Sequence, residues 1–383
     1  MKTTLLPLND PDLTQSDLEA VLEILQSPRI SMGDTVLAFE EEFARYLGRK
    51  HAVAVASGTI GLLLILRALG VGPGDEVITS AYSFREATQA IALSGARPVF
   101  GDIDYWAGTL DPEKAKKAIT EKTRAIVASN TNGHPAPWGP LRALATDANV
   151  ALIEDSTEAI GSVYQGKLVG SFGDCSLFDF SQPGGLICGE GAMIVTDNDE
   201  TAAMLRRLRS RRIEERSSVV LGAWPALQAG LSDMAAALGL AQLRRVELLL
   251  ARRKRVERWF LEYVRSFEGI KDPYIAPEVE QCHWFLYVVH LGTRFTRSSR
   301  DAIVEDLRQE KIEACAYAQP LHLQRYYIDL GYRRGDLFVT EKVAERAVAL
   351  PFHAHLTEEQ VAFVVGTMKD ASINVGAGTA IYL

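Results

Sequence analysis

The sequence predicts an α/β protein: a mainly parallel, seven-stranded sheet flanked by helices, followed by a smaller α+β unit. Three observations carry that prediction. From residue 51 onward, short apolar runs alternate with stretches of helical periodicity. Those runs are apolar at nearly every position, the pattern of strands buried on both faces under two layers of helix. Past residue 250 the rhythm changes, which divides the chain into residues 1–250 and residues 251–383.

The elements follow in order. Helical spacing covers 16–27, with Ser16 as its cap, and 36–47. HAVAVA (51–56) is the first strand, SGT (57–59) a turn, and 60–69 a helix closed by GVGPGD (70–75). EVITSA (76–81), RPVFGDID (97–104), TRAIVAS (123–129) and ALIED (151–155) are strands; 85–94, 112–120 and 140–147 are the intervening helices. Two further strands at 176–180 and 191–196 bring the sheet to seven. A long helix is expected over Ala235–Phe267, with ARRKRVER (251–258) as a solvated face. WFLYVVHL (284–291) then reads as a strand, and 300–310 and 357–370 as helices.

Composition narrows the function. The chain has 383 residues, 47% of them hydrophobic and 23% charged, as expected of a globular protein with two sizeable cores. A net charge of −8 argues against non-specific nucleic-acid binding. The four cysteines, at 175, 188, 282 and 315, lack metal-ligand spacing and read as buried thiols of a reduced compartment. No stretch approaches the roughly 20 apolar residues of a membrane span, and the N-terminus lacks a secretion core. A cytoplasmic protein with neither metal nor membrane partner is the expectation.

Ligands of such sheets bind at the strand ends, so the loops there decide the function. Ser57, Gly58 and Thr59 open a helix and present amide and hydroxyl donors suited to an anion, although Ser-Gly-Thr is also an ordinary cap. Phe84 follows the second strand and could face a flat ligand, although such an aromatic is more often core. Asp155 ends a strand, with Glu154 beside it and Glu158 one turn on. A carboxylate there is a general base or cofactor partner about as often as a helix cap.

Taken together, these segments resemble the DegT/DnrJ/EryC1/StrS family, the nucleotide-sugar aminotransferases of fold-type-I architecture. The likeness runs from about Leu6 to Lys369. It is carried by HAVAVASGT (51–59), PGDEVIT (73–79), GARPVFGDID (95–104), ALIEDSTEAIGSVYQGKLVGSFGD (151–174), GEG (189–191), LSDMAAALGLAQL (231–243), QPLH (319–322) and ALPFHAHLTEEQV (349–361). The resemblance implies pyridoxal phosphate or pyridoxamine phosphate as cofactor. Gly58 and Thr59 would hold its phosphate, Phe84 would stack on its ring, and Asp155 would pair with the ring nitrogen. It also implies a homodimer with the pocket at the interface and a sugar or sugar nucleotide as substrate.

Several positions depart from the family pattern. A phosphate-binding serine is expected in the strand that here reads Phe178-Asp179-Phe180. The Schiff-base lysine, five residues later and six before Glu190, falls on Gly184. A one-residue slip would give the phosphate Ser181 but still no lysine, because none occurs between Lys167 and Lys254. Glu158 stands where the family has glutamine or histidine, Gln228 where it has an asparagine reaching the partner's phosphate, and Gly230 where it has a basic residue. An artificial lysine-to-glycine replacement would not account for Asp179, Glu158 and Gly230.

Two readings follow. One is a divergent enzyme of sugar or secondary-metabolite biosynthesis whose cofactor is held without a covalent bond, or which has none, with Glu158 or Asp179 as acid–base group. The other is a non-catalytic subunit that completes the site of a lysine-bearing relative. In either case Asp155, Glu158 and Asp179 should converge on one cleft with Ser57 and Thr59 at one end. At least one carboxyl should then hold a proton, or a cation should neutralise them, with Arg85 the candidate.

Overall fold

Alternation along short apolar strands sets the layers of this molecule. The computed structural model describes residues 5–181, 184–209, 225–265 and 269–380. Helices α1 (Gln15–Leu25) and α2 (Asp34–Leu47) lead into β1 (His51–Val55) and α3 (Gly58–Ala68). Then come β2 (Glu76–Ser80), α4 (Arg85–Ser94), β3 (Arg97–Gly101), α5 (Pro112–Ala118), β4 (Thr123–Ser129), α6 (Trp138–Asp147) and β5 (Ala151–Asp155). After a small hairpin, β6 (Val163–Tyr164) and β7 (Lys167–Leu168), the large sheet is completed by β8 (Cys175–Asp179) and β9 (Ala192–Thr196), followed by α7 (Asp199–Arg209).

The seven strands lie in the order β1-β9-β8-β5-β4-β2-β3. β9 runs antiparallel to both its neighbours, while β8, β5, β4, β2 and β3 pair in parallel. Successive side chains enter opposite layers. Val53, Val55, Leu177 and Ile194 pack with α3, α4 and α7, whereas Ala52, Ala54, Phe178 and Met193 pack with α2. Phe43 meets Phe178 edge-on at 5.1 Å, which fixes α2 on its face. A buried ion pair between Glu40 and Arg209 spans β1, taking the Ala54 N–H at 2.8 Å and the Ala54 carbonyl at 2.8 Å.

The expected long helix over 235–267 is two helices, α8 (Asp233–Arg244) and α9 (Val246–Val264). Arg245 breaks it, with φ −120° and ψ 18°, and turns its guanidinium to Asp12 and Asp17. Phe267 lies outside the described residues. The first helix starts at Gln15 rather than Ser16, because Thr14 is its cap and donates its N–H to Asp17 at 2.7 Å.

The smaller unit adds β10 (Ile270–Lys271), β11 (Val279–Gln281), β12 (Tyr287–Leu291), α10 (Arg297–Gln309), β13 (Cys315–Ala316), α11 (Arg325–Asp329), α12 (Phe338–Ala344), β14 (Ala347–Leu350) and α13 (Glu358–Ala380). Its antiparallel sheet runs β10-β12-β14-β13, and one apolar core continues from Ile126 and Leu152 into Tyr287 and Val289. Among the described residues, no helix is long and apolar enough to cross a membrane.

The strand expected from Trp284 begins only at Tyr287. Its first residues bond to the β4–α6 loop instead. Phe285 N–H donates to the Asn132 carbonyl at 3.2 Å, and Leu286 N–H to Asn132 Oδ1 at 3.0 Å. Asn132 reaches them from the left-handed region, φ 52°. Next to it Gly133 has φ 94°, and a Cβ there would lie 2.1 Å from the His283 carbonyl oxygen. Gly133→Ala should therefore destabilise the chain by well over about 1 kcal/mol in urea melts. Gly166→Ala, at φ 75° with open space around it, should cost less. Equal costs would show that the seam between the units does not depend on this approach.

Candidate functional site

Every parallel strand delivers its C-terminal end to the same edge of the sheet, and a cavity of about 200 Å³ opens there. Asp155 ends β5, Asp179 ends β8, Gly58 opens α3 and Phe84 precedes α4; all four line it. Phe84, 42% exposed, meets Phe285 edge-on at 5.7 Å, so one wall is aromatic and comes from both units. Four acidic side chains, Glu86, Asp155, Glu158 and Asp179, line this cavity, and no basic one does among the described residues.

Each carboxylate meets that crowding differently. Neighbouring strand residues point to opposite faces, so Glu154 turns away from the cavity into the protein. There it accepts Asn130 Nδ2, the N–H groups of Gly170, Phe172 and Gly173, and the hydroxyls of Ser156 and Ser176. It is a structural anchor for the 170–173 turn. Asp155 takes the Ser129 hydroxyl and the Thr157 N–H, each at 3.1 Å, and burial still holds its pKa above the usual carboxylate range.

Glu158 is the most perturbed. Its Oε2 accepts the Tyr317 hydroxyl at 2.6 Å and the Asn132 N–H. Its Oε1 is buried without a hydrogen-bond partner. Burial pushes its pKa up to about 8, with Asp155 and Glu86 adding like-charge repulsion, so the carboxyl holds a proton at neutral pH.

Asp179 is satisfied by donors. Its Oδ2 accepts the Gly58 N–H at 2.6 Å, at the start of α3. Its Oδ1 accepts the Ser181 N–H at 2.8 Å and the Ser181 hydroxyl. The carboxylate therefore acts as an internal anion on a helix N-terminus, where the partial positive charge favours it. The geometry gives Asp179 this capping task rather than the acid–base one expected from sequence, and it commits Ser181 to the same carboxylate.

The convergence of Asp155, Glu158 and Asp179 is as expected; the surroundings differ in part. Ser57 and Thr59 stand outside the cavity wall, and the Ser57 hydroxyl caps α3 by accepting the Ile60 N–H at 3.4 Å. Arg85 pairs with Glu86 and reaches none of Asp155, Glu158 and Asp179. Its side chain is 68% exposed and lies 3.6 Å from Glu86, because the first turn of α4 faces solvent there. A proton on Glu158 takes the place of that cation. Gln228 is exposed and away from the cavity, Gly184 lies beyond its lining, and most of the poorly matching 209–230 segment is outside the described residues. Tyr317, Asn132 and Phe285 were missed. Tyr317 stands two residues before QPLH, a segment already singled out, which was the available signal.

The donor set can be tested against pyridoxal phosphate. Phe84 and the carboxylate of Asp155 both line the cavity, an aromatic face and an acceptor of the kind a pyridine ring needs. The phosphate end fits poorly, because Gly58 and Ser181 donate to Asp179 and Thr59 stands outside the cavity wall; at the other end no lysine lines the cavity among the described residues.

The raised pKa of Glu158 has a consequence for stability. A carboxyl that binds its proton more tightly when folded contributes stability fully below the ordinary glutamate pKa, 4.5, and loses it as pH rises through about 8. Melting temperature should thus decline across that window, and Glu158→Gln should decline less steeply. Parallel profiles would mean that Glu158 is ionised throughout.

Known proteins resemble this chain along nearly its whole length. The chain is 34% identical to GDP-perosamine synthase of Caulobacter vibrioides, over 95% of this chain and 97% of that one. It is 32% identical to the spore coat polysaccharide biosynthesis protein SpsC of Bacillus subtilis, over 95% and 96%. A Streptococcus pneumoniae protein solved in a PMP form superposes with a TM-score of 0.93 at 26% identity, over 98% of this chain and all of that one. The same protein has also been solved in a PLP form. The sequence pattern of one family covers residues 11–369, and with it the whole cavity: the chain belongs to the DegT/DnrJ/EryC1/StrS aminotransferase family.

Proposed function

We propose that this chain is a divergent member of its family, acting on a sugar or sugar nucleotide in biosynthesis without a Schiff-base lysine. Gly184 occupies the lysine position in this reading. The observation that carries it is Glu158: a proton-holding carboxyl, oriented by Tyr317, beside an aromatic-walled cavity with no lysine among its described lining residues. A sugar ring would lie on Phe84 and Phe285. Glu158 would give its proton to a sugar oxygen, or take one back after ionising, as a general acid–base group. Asp155 would accept a hydrogen bond from a hydroxyl of the bound sugar. Relatives named for GDP-perosamine synthesis and spore polysaccharide biosynthesis support the substrate class.

A second reading, the non-catalytic subunit, is favoured by the filled donors around Asp179. Turnover separates the two. The purified chain, incubated with a panel of nucleotide sugars, should convert at least one, followed by mass spectrometry. Glu158→Gln should lower the rate by about 10²-fold or more while leaving the melting profile folded. No conversion by the chain alone, with conversion restored by a lysine-bearing relative, would establish the subunit reading. Borohydride reduction in the presence of pyridoxal phosphate should leave every lysine unmodified; a tagged lysine would contradict the assignment of Gly184.

The proposal includes pairing of two copies. Leu18, Leu22 and Leu25 lie one to two turns apart on α1 and are 58%, 53% and 57% exposed, an apolar stripe suited to a second chain. Light scattering at micromolar concentration should report a dimer; a monomer would remove this part.

A further inference from the structure

We infer that Asp179 is a specificity residue that bars a phosphate from the first turn of α3, so that a ligand enters this end of the cavity by a phosphate-free ring, with any phosphate it carries directed away from α3. The inference rests on the reading that this cavity is the ligand site. It goes beyond that reading by naming which part of the ligand meets α3.

The first turn of α3 is a place where this fold can hold an anion, because amide N–H groups and the helix dipole converge there. Here the chain supplies the anion itself. Asp179 Oδ2 sits 2.6 Å from the Gly58 nitrogen, and a Cβ added at Gly58 would lie 2.6 Å from that same oxygen. The carboxylate thus fits only because residue 58 is glycine. Its other oxygen draws in both donors of Ser181. The backbone that carries this side chain is held as well, since the Asp179 N–H donates to the Thr157 hydroxyl at 3.2 Å. All three of these donors, from Gly58 and Ser181, are therefore spent on one carboxylate.

A phosphate arriving at α3 would have to displace Asp179 or lie against it as a like charge, with Asp155 and Glu86 also lining the cavity. A neutral ring faces neither obstacle. It finds the aromatic wall of Phe84 and Phe285, the Ser129 hydroxyl and the held proton of Glu158. Discrimination of this kind arises by leaving the unwanted ligand's charge unpaired.

The test uses one ring with and without a phosphate. Pyridoxamine and pyridoxamine phosphate are titrated by calorimetry into the full chain, into Asp179→Ser and into Asp179→Asn. Serine keeps a small polar side chain and frees the Gly58 and Ser181 donors. Asparagine keeps the shape and removes only the charge, so a folded variant is available if serine destabilises the strand end. The expected result is a gain of at least tenfold in affinity for pyridoxamine phosphate in Asp179→Ser and a smaller gain in Asp179→Asn. Affinity for pyridoxamine should stay within about twofold, so the change is selective for the phosphate. Any outcome without that selective gain overturns the inference, including equal affinities in all three proteins or no binding in any of them. The readout is binding rather than turnover, so a chain inactive on every sugar still answers this question. A catalytically active chain that shows no selective gain refutes the inference alone.

Discussion

Four acidic side chains share one small cavity with no basic side chain among its described lining residues, and the rest of the site follows from that constraint. Side-by-side carboxylates cannot all ionise in a poorly solvated space unless something offsets their charge. The fold offsets it in three ways. Glu86, at the exposed rim, pairs with Arg85 at 3.6 Å. Backbone and hydroxyl donors at the strand ends surround Asp179 and Asp155. Glu158, with two donors on one oxygen and none on the other, keeps a proton. Asp179 and Asp155 are therefore met by donors on the protein, and burial raises the pKa of Glu158 furthest, to about 8.

The same contact that sets Glu158 also joins the two units. Tyr317 belongs to the smaller unit, and Asn132, whose N–H supplies the other donor, bonds through its carbonyl and side chain to Phe285 and Leu286. A shift of the smaller unit would move Tyr317 and Phe285 together, altering both the proton affinity of Glu158 and the aromatic wall. The proton affinity of Glu158 and the position of the aromatic wall are coupled in this architecture through a handful of hydrogen bonds. Gly133 allows the two backbones to approach closely enough to make them.

Much of this was legible in the sequence. Continuous apolar runs such as HAVAVA and ALIED gave the order and nature of the strands, because burial on both faces leaves no room for polar alternation. The departures at Asp179 and Glu158 marked the site, since novel carboxylates in strand-end loops need compensation. What compensates them was not legible. Arg85 adjoins Phe84 in sequence, yet the helical turn between them sends its side chain outward. Tyr317 lies 159 residues from Glu158, and only the packing of the smaller unit brings them to 2.6 Å. The break at Arg245 escaped periodicity because the apolar pattern on either side is helical; the cause is an ion pair with Asp12 and Asp17 in a distant N-terminal segment. Glu154 and Asp155 could not be told apart as anchor and site residue until the strand's facing was known.

The central claim is that one carboxylic acid in this cavity remains protonated at neutral pH. Infrared difference spectroscopy of the wild-type chain against Glu158→Gln reads it directly. The account predicts a protonated-carboxyl stretch at pH 7 that is absent from the variant and titrates away with a midpoint near 8. A spectrum in which every carboxyl is already ionised at pH 6, identical in the two proteins, would contradict it.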